Sequence, residues 1–479
     1  MHRVRVVRRT SPIRDDGDVQ EVLATTTLRR RARGALSDER LRRTLRRATD
    51  RFSLLRGVGQ QTLSNWDELR DAGRAVRTRV LADLPRILER LSENVEANGG
   101  HVHWATTAQE ASSLVVEVAR RRGARLAVKS KSMATEEIAL NDHLEAAGIE
   151  VVETDLGEWI VQLAGETPSH ILAPAVHRSR EEIAELFGRV AGHAVSELPE
   201  DLCAFARREL RERFLRADLG ISGVNLAVAE TGSIFIVTNE GNGRMVTSLP
   251  RTHVAVMGME RVVETWDQLE LMLALLPRAA SGQDITVYAN AMTGPRRAGE
   301  VDGPDEFHLV IVDNGRSEIL GTELQEILHC IRCGACLNVC PVYRQIGGHA
   351  YGGVYSGPVG AVLTPLLDRA PHAPELAQAS SLCGACWEAC PVRIPLHDLL
   401  LALRRREAPS LPRAQRAVWR AWAETWSRPA AYRASVRTAR TASRIVPERM
   451  APDAWTDGRS LPRPPSGPGF RERFDRGEL

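Results

Sequence analysis

Lysine is nearly absent from this chain of 479 residues. Lysine and arginine together number 64, and Lys129 and Lys131 are the two lysines, so the other 62 are arginines. Long apolar runs are also missing, and segments such as LMLALLP are far too short to span a bilayer. The N-terminal stretch MHRVRVVRRTSPIRDDGD lacks the apolar segment that a secretory signal requires. We therefore expect neither a transmembrane segment nor a secretory signal.

Acidic and basic residues nearly cancel, with a net charge of +3, but arginine is unevenly distributed. It is dense in residues 1–56 and again after residue 402. Such segments can bind nucleic acid or an acidic membrane surface, or they can be solvated helix faces and frayed ends. We favour solvated helix faces, because aromatic residues are not interleaved with the arginines as single-stranded nucleic acid requires. No nucleic-acid partner is expected.

Cysteine is scarce and clustered. Seven of the eight cysteines fall between Cys330 and Cys390, and Cys203 stands alone. In a long chain without a secretory signal, this clustering indicates a metal centre and not disulfide bonds. Cys203 lies in the helical pattern DLCAFARREL, where we expect a buried and inert thiol.

The apolar pattern divides the chain into four parts. Residues 1–60 form a basic N-terminal extension, and residues 61–315 alternate strands with helices, which predicts a mostly parallel sheet covered by helices. In this α/β domain we expect a helix from about Ser64 to Leu88, strands at ARLAVKS, IEVVETD and SHILAPA, and a helix at MATEEIALNDHLEAAG. Residues 316–404 form a helical module that carries the clustered cysteines. Residues 405–479 form a tail that is first helical, with Trp419, Trp422 and Trp426, and then rich in proline and extended.

The first cysteine run is CIRCGACLNVCP, with Cys330, Cys333, Cys336 and Cys340 followed by proline. This C-x2-C-x2-C-x3-C-P spacing is typical of [4Fe–4S] proteins, in which three close thiolates bind one cube and the fourth reaches a second cube. A zinc ribbon would instead pair two C-x2-C knuckles, without the third cysteine or the C-P ending. The spacing therefore favours iron–sulfur clusters over zinc.

The second run, SSLCGACWEACP, has three cysteines, and Ser380 stands where a first cysteine would be. Crossed ligation predicts that cluster 1 takes Cys330, Cys333, Cys336 and Cys390, and that cluster 2 takes Cys340, Cys383 and Cys386. Cluster 2 then has three thiolates. Its fourth iron could be bound by Ser380, His349, water, a partner's side chain or a substrate oxygen, or the cluster could be [3Fe–4S]. The spacing does not separate these alternatives.

At this point the motifs resemble those of a known family. HVHWA, VKSKSMATEEIALN, ETDLGEWIVQLAGETPSHI, AETGSIFIVTNEGNGR, both cysteine runs and PDAWTDGRSLPRPP are similar to the iron–sulfur subunit of the bacterial lactate-utilisation system, the lactate utilization protein B family. The resemblance covers most of the chain. The missing cysteine at Ser380 also fits the family pattern.

The resemblance implies a cytoplasmic protein with two [4Fe–4S] clusters that works with a cysteine-rich A-type subunit and an α/β C-type subunit. Together they would oxidise L-lactate to pyruvate and allow growth on lactate. It also implies an α/β domain akin to sugar-phosphate isomerases and CoA-transferases, followed by a ferredoxin-like two-cluster module. It does not say which subunit binds lactate or which molecule accepts the electrons.

Lys129 and Lys131 fall where a strand is expected to end and a helix to begin, the usual ligand crevice of an open α/β sheet. We expect Lys129, Ser130, Lys131 and Ser132 to form a small-anion site, because arginine would serve equally well on a merely solvated surface. A helix N-terminus there would also favour an anion. The turns ETGS and NEGNGR could complete the pocket, whereas a structural role is favoured for the two histidines of HVHWA.

Two classes of function are compatible with these observations. The first is an electron-transfer subunit of a lactate-oxidising complex. The second is a ligand-binding sensor or scaffold in which the clusters are structural or regulatory. Paired clusters at ferredoxin spacing favour electron transfer, because a structural cluster needs no second cluster nearby.

Overall fold

The computed structural model describes residues 25–368, 370–445 and 469–478. The start of the basic extension and the proline-rich end of the tail fall in residues 1–24 and 446–468, outside the described residues. The chain divides into two compact units between Arg404 and Arg405. The first unit contains the sheets and all eight cysteines, and the described part of the second is helical.

In the described residues the strands, in chain order, are β1 (His101–Ala105), β2 (Leu126–Lys129), β3 (Glu150–Glu153), β4 (Leu219–Gly223), β5 (Leu226–Val228), β6 (Ser233–Thr238), β7 (Thr252–Gly258), β8 (Val262–Val263), β9 (Tyr288–Met292) and β10 (Glu306–Val312). Six of them form a parallel sheet in the order β1-β10-β7-β4-β2-β3. The other four form a smaller mixed sheet in the order β8-β5-β6-β9. The mostly parallel α/β domain expected from the sequence is confirmed.

The α-helices of the first unit are α1 (Leu28–Ser37), α2 (Glu39–Gln61), α3 (Trp66–Ala82), α4 (Leu84–Ala97), α5 (Ala108–Arg121), α6 (Met133–Glu137), α7 (Leu140–Ala146), α8 (Leu156–Ala164), α9 (Arg180–Ala191), α10 (Pro199–Arg216), α11 (Asn242–Ser248), α12 (Trp266–Ser281), α13 (Arg316–Ile319), α14 (Ala335–Val339), α15 (Tyr343–Ile346), α16 (Gly357–Leu367) and α17 (Ala385–Ala389). Helix α18 (Leu396–Glu407) runs across the division, and the second unit holds α19 (Arg413–Ser427), α20 (Pro429–Ile445) and α21 (Phe470–Asp475). Short 3-10 helices cover Gln325–His329, His349–Tyr351, Pro374–Gln378 and Ala408–Ser410. Across the described ranges, no helix is both long and apolar enough to cross a membrane.

Alternate side chains of the central strands enter different cores. In β7, Ala255 and Met257 join a core shared with α3, α4 and α12, whereas Val254 and Val256 join a core shared with α5 and α7. Because both faces of the sheet are covered, all seven residues of β7 are buried. The first of these cores also contains most of the clustered cysteines, so the cysteine module and the α/β domain share one apolar interior.

The basic segment before residue 60 is partly structural. It forms α1 and α2, and Leu45 of α2 is fully buried. The Nε atom of Arg31 donates to the carbonyl of Ala350 at 2.9 Å, and that of Arg42 donates to Gln345 Oε1 at 3.1 Å. The interpretation as solvated helix faces therefore holds only for the outer side of these helices, because arginines of the inner side bind the cysteine module.

Other local predictions differ from the structure. The helix expected from Ser64 is two helices, α3 and α4, and Pro85 lies in the first turn of the second. The helix expected at MATEEIALNDHLEAAG breaks into α6 and α7, because Ala139 has a φ of 48°. SHILAPA is irregular and not a strand. Cys203 lies on α10 as expected but is exposed, so its predicted burial is wrong.

Candidate iron–sulfur centre

Both cysteine runs form the same backbone unit, a loop followed by a short helix. In the first run Arg332 and Gly334 have φ values of 60° and 74°, and α14 follows. In the second run Leu382 and Gly384 have φ values of 55° and 82°, and α17 follows. A left-handed conformation is unfavourable for arginine and leucine. Its repetition at equivalent positions indicates that one loop geometry is used twice.

The two loop–helix segments pack together so that cysteines from different runs come close to one another. Helix α14 packs against α17, and the last cysteine of each run follows its helix in an extended conformation. One cavity is lined by Cys330, Cys333, Cys336 and Cys390. The thiols of Cys340, Cys383 and Cys386 lie near one another in a second group. These are the two sets that crossed ligation predicts.

Two arginines beside the cavity have buried donors without a hydrogen-bond partner among the described residues. These donors are Nε and Nη1 of Arg56 and Nη1 of Arg332. Arg56 lies near the thiols of Cys333 and Cys336, and Arg332 lies near that of Cys330. A buried donor without an acceptor costs about 1–3 kcal/mol. An anionic, sulfur-rich cluster in the cavity would accept from these donors, so the residues present fit such a group.

The cavity is electropositive. Arg70 Nε donates to the carbonyl of Cys390 at 3.0 Å, and Arg261 Nη1 donates to the carbonyl of Cys330 at 2.7 Å. Arg77 is fully buried and Nη2 donates to the carbonyl of Leu328 at 3.0 Å. Burial lowers the pKa of Arg77 and of Arg261 to about 10, so both remain charged at neutral pH. A cube with four thiolates is an anion, and these buried cations offset its loss of hydration.

Backbone amides are directed at the sulfurs. The amides of Arg332, Tyr343 and Ile394 donate to the sulfurs of Cys330, Cys340 and Cys390 at 3.4, 3.5 and 3.3 Å. Such hydrogen bonds to sulfur tune the potential of a bound cluster. Burial raises the pKa of Cys333 and of Cys336, so these thiols need a metal cation to become thiolates.

The second cysteine group reaches the surface. Cys383 is exposed, whereas Cys340 and Cys386 are buried. Ser380 is half-buried, its Oγ accepts from the amide of Leu382 at 3.1 Å, and its carbonyl accepts from Arg404 Nη2 at 2.8 Å.

The other side-chain candidate for the fourth iron, His349, has neighbours in the α/β domain. Its Nε2 is 2.7 Å from the carbonyl of Thr167, and its ring centroid is 4.6 Å from that of His177 in an edge-on arrangement. A carbonyl can only accept, so this nitrogen carries the proton and donates. Iron would therefore have to displace an existing hydrogen bond there.

Lys129 lies at the carboxyl end of β2 and is fully buried. Its Nζ atom is 2.7 Å from Glu136 Oε1 and 2.7 Å from Glu153 Oε1. Burial acts to lower the pKa of Lys129, but the two carboxylates outweigh it and raise that pKa. Glu136 and Glu153 therefore already neutralise the charge of Lys129, which argues against contact between this lysine and a small anion.

A third carboxyl group completes this cluster. Glu136, Glu153 and Glu158 each place one oxygen within 4.8 Å of the others. Glu158 is buried, and its Oε1 has no hydrogen-bond partner in the described part of the chain. Burial and the neighbouring carboxylates raise the pKa of Glu158 well above its ordinary value. This shift of the pKa favours the protonated form of Glu158.

The remaining residues of the predicted anion site have different roles. Ser132 caps α6 by accepting from the amide of Thr135 at 3.2 Å. Lys131 Nζ donates to the carbonyl of Ile171, a residue that lines the cysteine cavity. Ser130 Oγ is buried and has no partner in the described residues. Lys131 thus connects the strand end to the wall of the cavity.

The irregular segment that contains SHILA joins the α/β domain to the cysteine module. His170 Nδ1 accepts from the amide of Leu172 at 2.9 Å, so Nε2 carries the proton and donates to Asn338 Oδ1 at 3.1 Å. Burial lowers the pKa of His170 to about 3, which keeps the ring neutral. The hydroxyl of Tyr343 donates to the carbonyl of Ser169 at 2.8 Å. This segment therefore contacts α14 and α15 directly.

The other polar candidates differ in their position. The histidines of HVHWA lie on edge strand β1, and three strands separate β1 from β2. His103 Nε2 is 3.0 Å from His308 Nδ1. In ETGS, Ser233 Oγ is 2.6 Å from Thr293 Oγ1. NEGNGR contributes Glu240 near Lys131, and burial together with Asp155 raises the pKa of Glu240 to about 7. Of these candidates, NEGNGR approaches the strand end.

Several residues at the centre carry no signal in the sequence. Arg56, Arg77 and Arg261 are three of 62 arginines, and no sequence motif distinguishes them from the others. His170 and Glu158 lie within ETDLGEWIVQLAGETPSHI, which the family resemblance includes without giving a role to either. Their proximity to the cysteine module depends on packing between segments that are far apart in the chain.

Comparison with known families divides the chain into three segments. Residues 88–312 match the LUD domain family, and residues 326–394 match the family described as a 4Fe-4S dicluster domain. Residues 404–476 match the family described as lactate utilisation protein B, C-terminal. The match to a dicluster domain covers both cysteine runs.

Curated proteins from several bacteria are similar along most of their length. Lactate utilization protein B of Oceanobacillus iheyensis is 50% identical over 439 residues, which cover 90% of this chain and 92% of that protein. The protein of the same name from Bacillus subtilis is 52% identical over 384 residues, which cover 80% of each chain. A crystal structure of a DUF162 family protein from Deinococcus radiodurans matches 48% of this chain and 98% of that chain at 15% identity, with a TM-score of 0.26, too low to bear on the fold.

Proposed function

The chain belongs to the lactate utilization protein B family, and from this premise we propose that it is the iron–sulfur electron-transfer subunit of a cytoplasmic complex that oxidises L-lactate to pyruvate. Its partners would be a cysteine-rich A-type subunit and an α/β C-type subunit. The two [4Fe–4S] clusters would be held by the crossed cysteine sets, cluster 1 in the buried cavity and cluster 2 in the group that includes Cys383. The family name supports a role in lactate utilisation.

The observation that carries the proposal is the placement of the two cysteine sets. The first is buried in the core that it shares with the α/β domain, and the second has the exposed cysteine Cys383. Bound clusters would supply one-electron carriers at both places. A pair of carriers that leads from the interior to the surface suits electron transfer, whereas a purely structural role would need one cluster.

The residues of the chain have separable tasks in this function. Arg56 and Arg332 direct donors at the cavity of cluster 1, and Arg77 adds a buried positive charge. Lys131 holds the carbonyl of Ile171 at the wall of that cavity. The apolar lining excludes water, which strengthens the electrostatic contribution of these groups.

We retain the predicted anion site without Lys129. If a small carboxylate such as L-lactate binds at the end of β2, its contacts would be Lys131 and Ser130 and not Lys129. Protonated Glu158 could donate a hydrogen bond to such a ligand, because its free oxygen lies in the same buried group. This part of the proposal is independent of the cluster assignment.

The test is anaerobic reconstitution of the chain with iron and sulfide, followed by addition of the A-type and C-type subunits and L-lactate. We expect about eight irons per chain and lactate-dependent reduction of the clusters, observed by electron paramagnetic resonance. Full iron content without lactate-driven reduction would favour the alternative of a ligand-binding sensor or scaffold. Stoichiometric zinc without broad visible absorbance would mean that the cysteine module has been misinterpreted.

A further inference from the structure

The two cysteine loops share a backbone hydrogen bond at the position where the second loop lacks a cysteine. In the first loop, Cys330 Sγ accepts from the amide of Arg332, two residues later, at 3.4 Å. In the second loop, Ser380 Oγ accepts from the amide of Leu382, two residues later, at 3.1 Å. The donors Arg332 and Leu382 share a left-handed φ of 60° and 55°. Ser380 Oγ therefore has the place in the second loop that Cys330 Sγ has in the first.

The first loop directs three thiols at one group, and the second run adds Cys390 to it. In the second loop Cys383 and Cys386 lie near Cys340 of the first run. By the correspondence of the two loops, Ser380 takes the remaining position of this group. We propose that the hydroxyl oxygen of Ser380 is the fourth ligand of cluster 2. This inference rests on the proposed cluster assignment and adds a protein oxygen at the iron that the cysteines leave open.

Coordination by serine needs no oxidant. The Ser380 O–H bond is replaced by an Fe–O bond, and the proton is released to water, as it is when a thiol binds iron. Oxygen is a harder donor than sulfur and favours ferric over ferrous iron. Ser380 should therefore lower the potential of cluster 2 relative to a cysteine at that position, and it should bind the fourth iron less firmly.

Two other side chains compete for this role. His349 already donates to the carbonyl of Thr167. Tyr351 is fully buried, its hydroxyl makes no well-formed hydrogen bond within the described residues, and it faces the thiol of Cys340. That position suits a hydrogen bond from the phenol to a ligand sulfur. Tyr351 has no counterpart in the first cysteine loop at a ligand position, so we treat it as the alternative ligand in the test.

The experiment uses full-length protein reconstituted anaerobically, with the variants Ser380→Ala, Ser380→Cys and Tyr351→Phe. Ser196→Ala is the matched control, because Ser196 Oγ also accepts from the amide two residues later, that of Leu198, but lies in an exposed loop outside the cysteine module. The readouts are iron per chain, the electron paramagnetic resonance spectrum of each cluster, the potential of cluster 2 and the rate at which air removes its fourth iron.

We expect Ser380→Ala to lose the fourth iron of cluster 2 at least about threefold faster than wild type, with cluster 1 unchanged. Ser380→Cys should lose it more slowly and raise the potential of cluster 2, and Ser196→Ala should match wild type. The inference is overturned if both Ser380 variants keep the wild-type spectrum, potential and rate of iron loss. It is also overturned if Tyr351→Phe, and not Ser380→Ala, releases the fourth iron. If wild type binds no clusters at all, the proposed function fails together with this inference.

Discussion

Replacing Lys129 by methionine tests whether this lysine is a structural counter-ion. The substitution keeps an unbranched side chain, one atom shorter than lysine, but removes the charge that lies 2.7 Å from both Glu136 and Glu153. Three carboxyl groups, including that of Glu158, then remain together in a nearly dry site. The variant should therefore fold less stably, with a characteristic dependence on pH.

The magnitude follows from the burial of the pair. Removing one partner of a buried ion pair typically costs about 3–5 kcal/mol, because the other charge is left uncompensated. The buried carboxyl groups can escape this cost by taking up protons. Burial already raises the pKa of Glu153, and loss of the attraction to Lys129 should raise it further. An acid whose pKa is higher in the folded than in the unfolded state destabilises the fold as pH rises through the folded value.

The decrease in the free energy of unfolding caused by Lys129→Met should therefore be small near pH 5 and reach its full value near pH 8. At about 2–4 °C per kcal/mol for a domain of this size, the melting temperature should fall by roughly 10 °C at pH 8. Thermal unfolding followed by circular dichroism at both pH values measures this. Val128→Ala is the control, because Val128 is buried on the same strand and carries no charge, so its loss should not depend on pH. Equal and small losses for Lys129→Met at pH 5 and pH 8 would refute the counter-ion role.

Two further predictions concern the cysteine module. Arg56→Gln should lower the reduction potential of cluster 1 by about 100 mV, since one charge at ~7 Å in a medium of dielectric constant ~20 contributes ~2 kcal/mol. Potentiometric titration measures this shift. The control Arg51→Gln removes an exposed charge on the same helix and should have little effect, because water and salt screen that charge. Equal shifts for both variants would contradict a local role of Arg56. In protein freed of iron, iodoacetamide should modify the exposed thiols of Cys383 and Cys203 before the buried ones. Mass spectrometry after short labelling decides this, and equally fast labelling of Cys336 would show that the module opens without its metal.

The sequence by itself determined the chemistry of the centre and the class of the fold. The C-x2-C-x2-C-x3-C-P spacing limits which thiolates can share a cube, because a few intervening residues leave little freedom in where the sulfurs point. In the structure Cys330, Cys333, Cys336 and Cys390 line one cavity, and the ligand sets stay a prediction. The alternation of short apolar runs with helical patterns likewise predicts a mostly parallel sheet, since each buried strand needs helices on both faces.

Only the tertiary structure decided which charges meet. Lys129 and Lys131 are two residues apart and look alike in sequence, yet one is enclosed by carboxylates and the other binds a carbonyl at the wall of the cavity. Arg56 lies near the thiols of Cys333 and Cys336, and Arg261 donates to the carbonyl of Cys330, although these cysteines are tens to hundreds of residues away in the chain. No local pattern records such contacts, because they arise from the packing of separate elements into one core. The alignment of the two runs already placed Ser380 opposite Cys330, and the structure added that Ser380 Oγ and Cys330 Sγ accept the same backbone hydrogen bond.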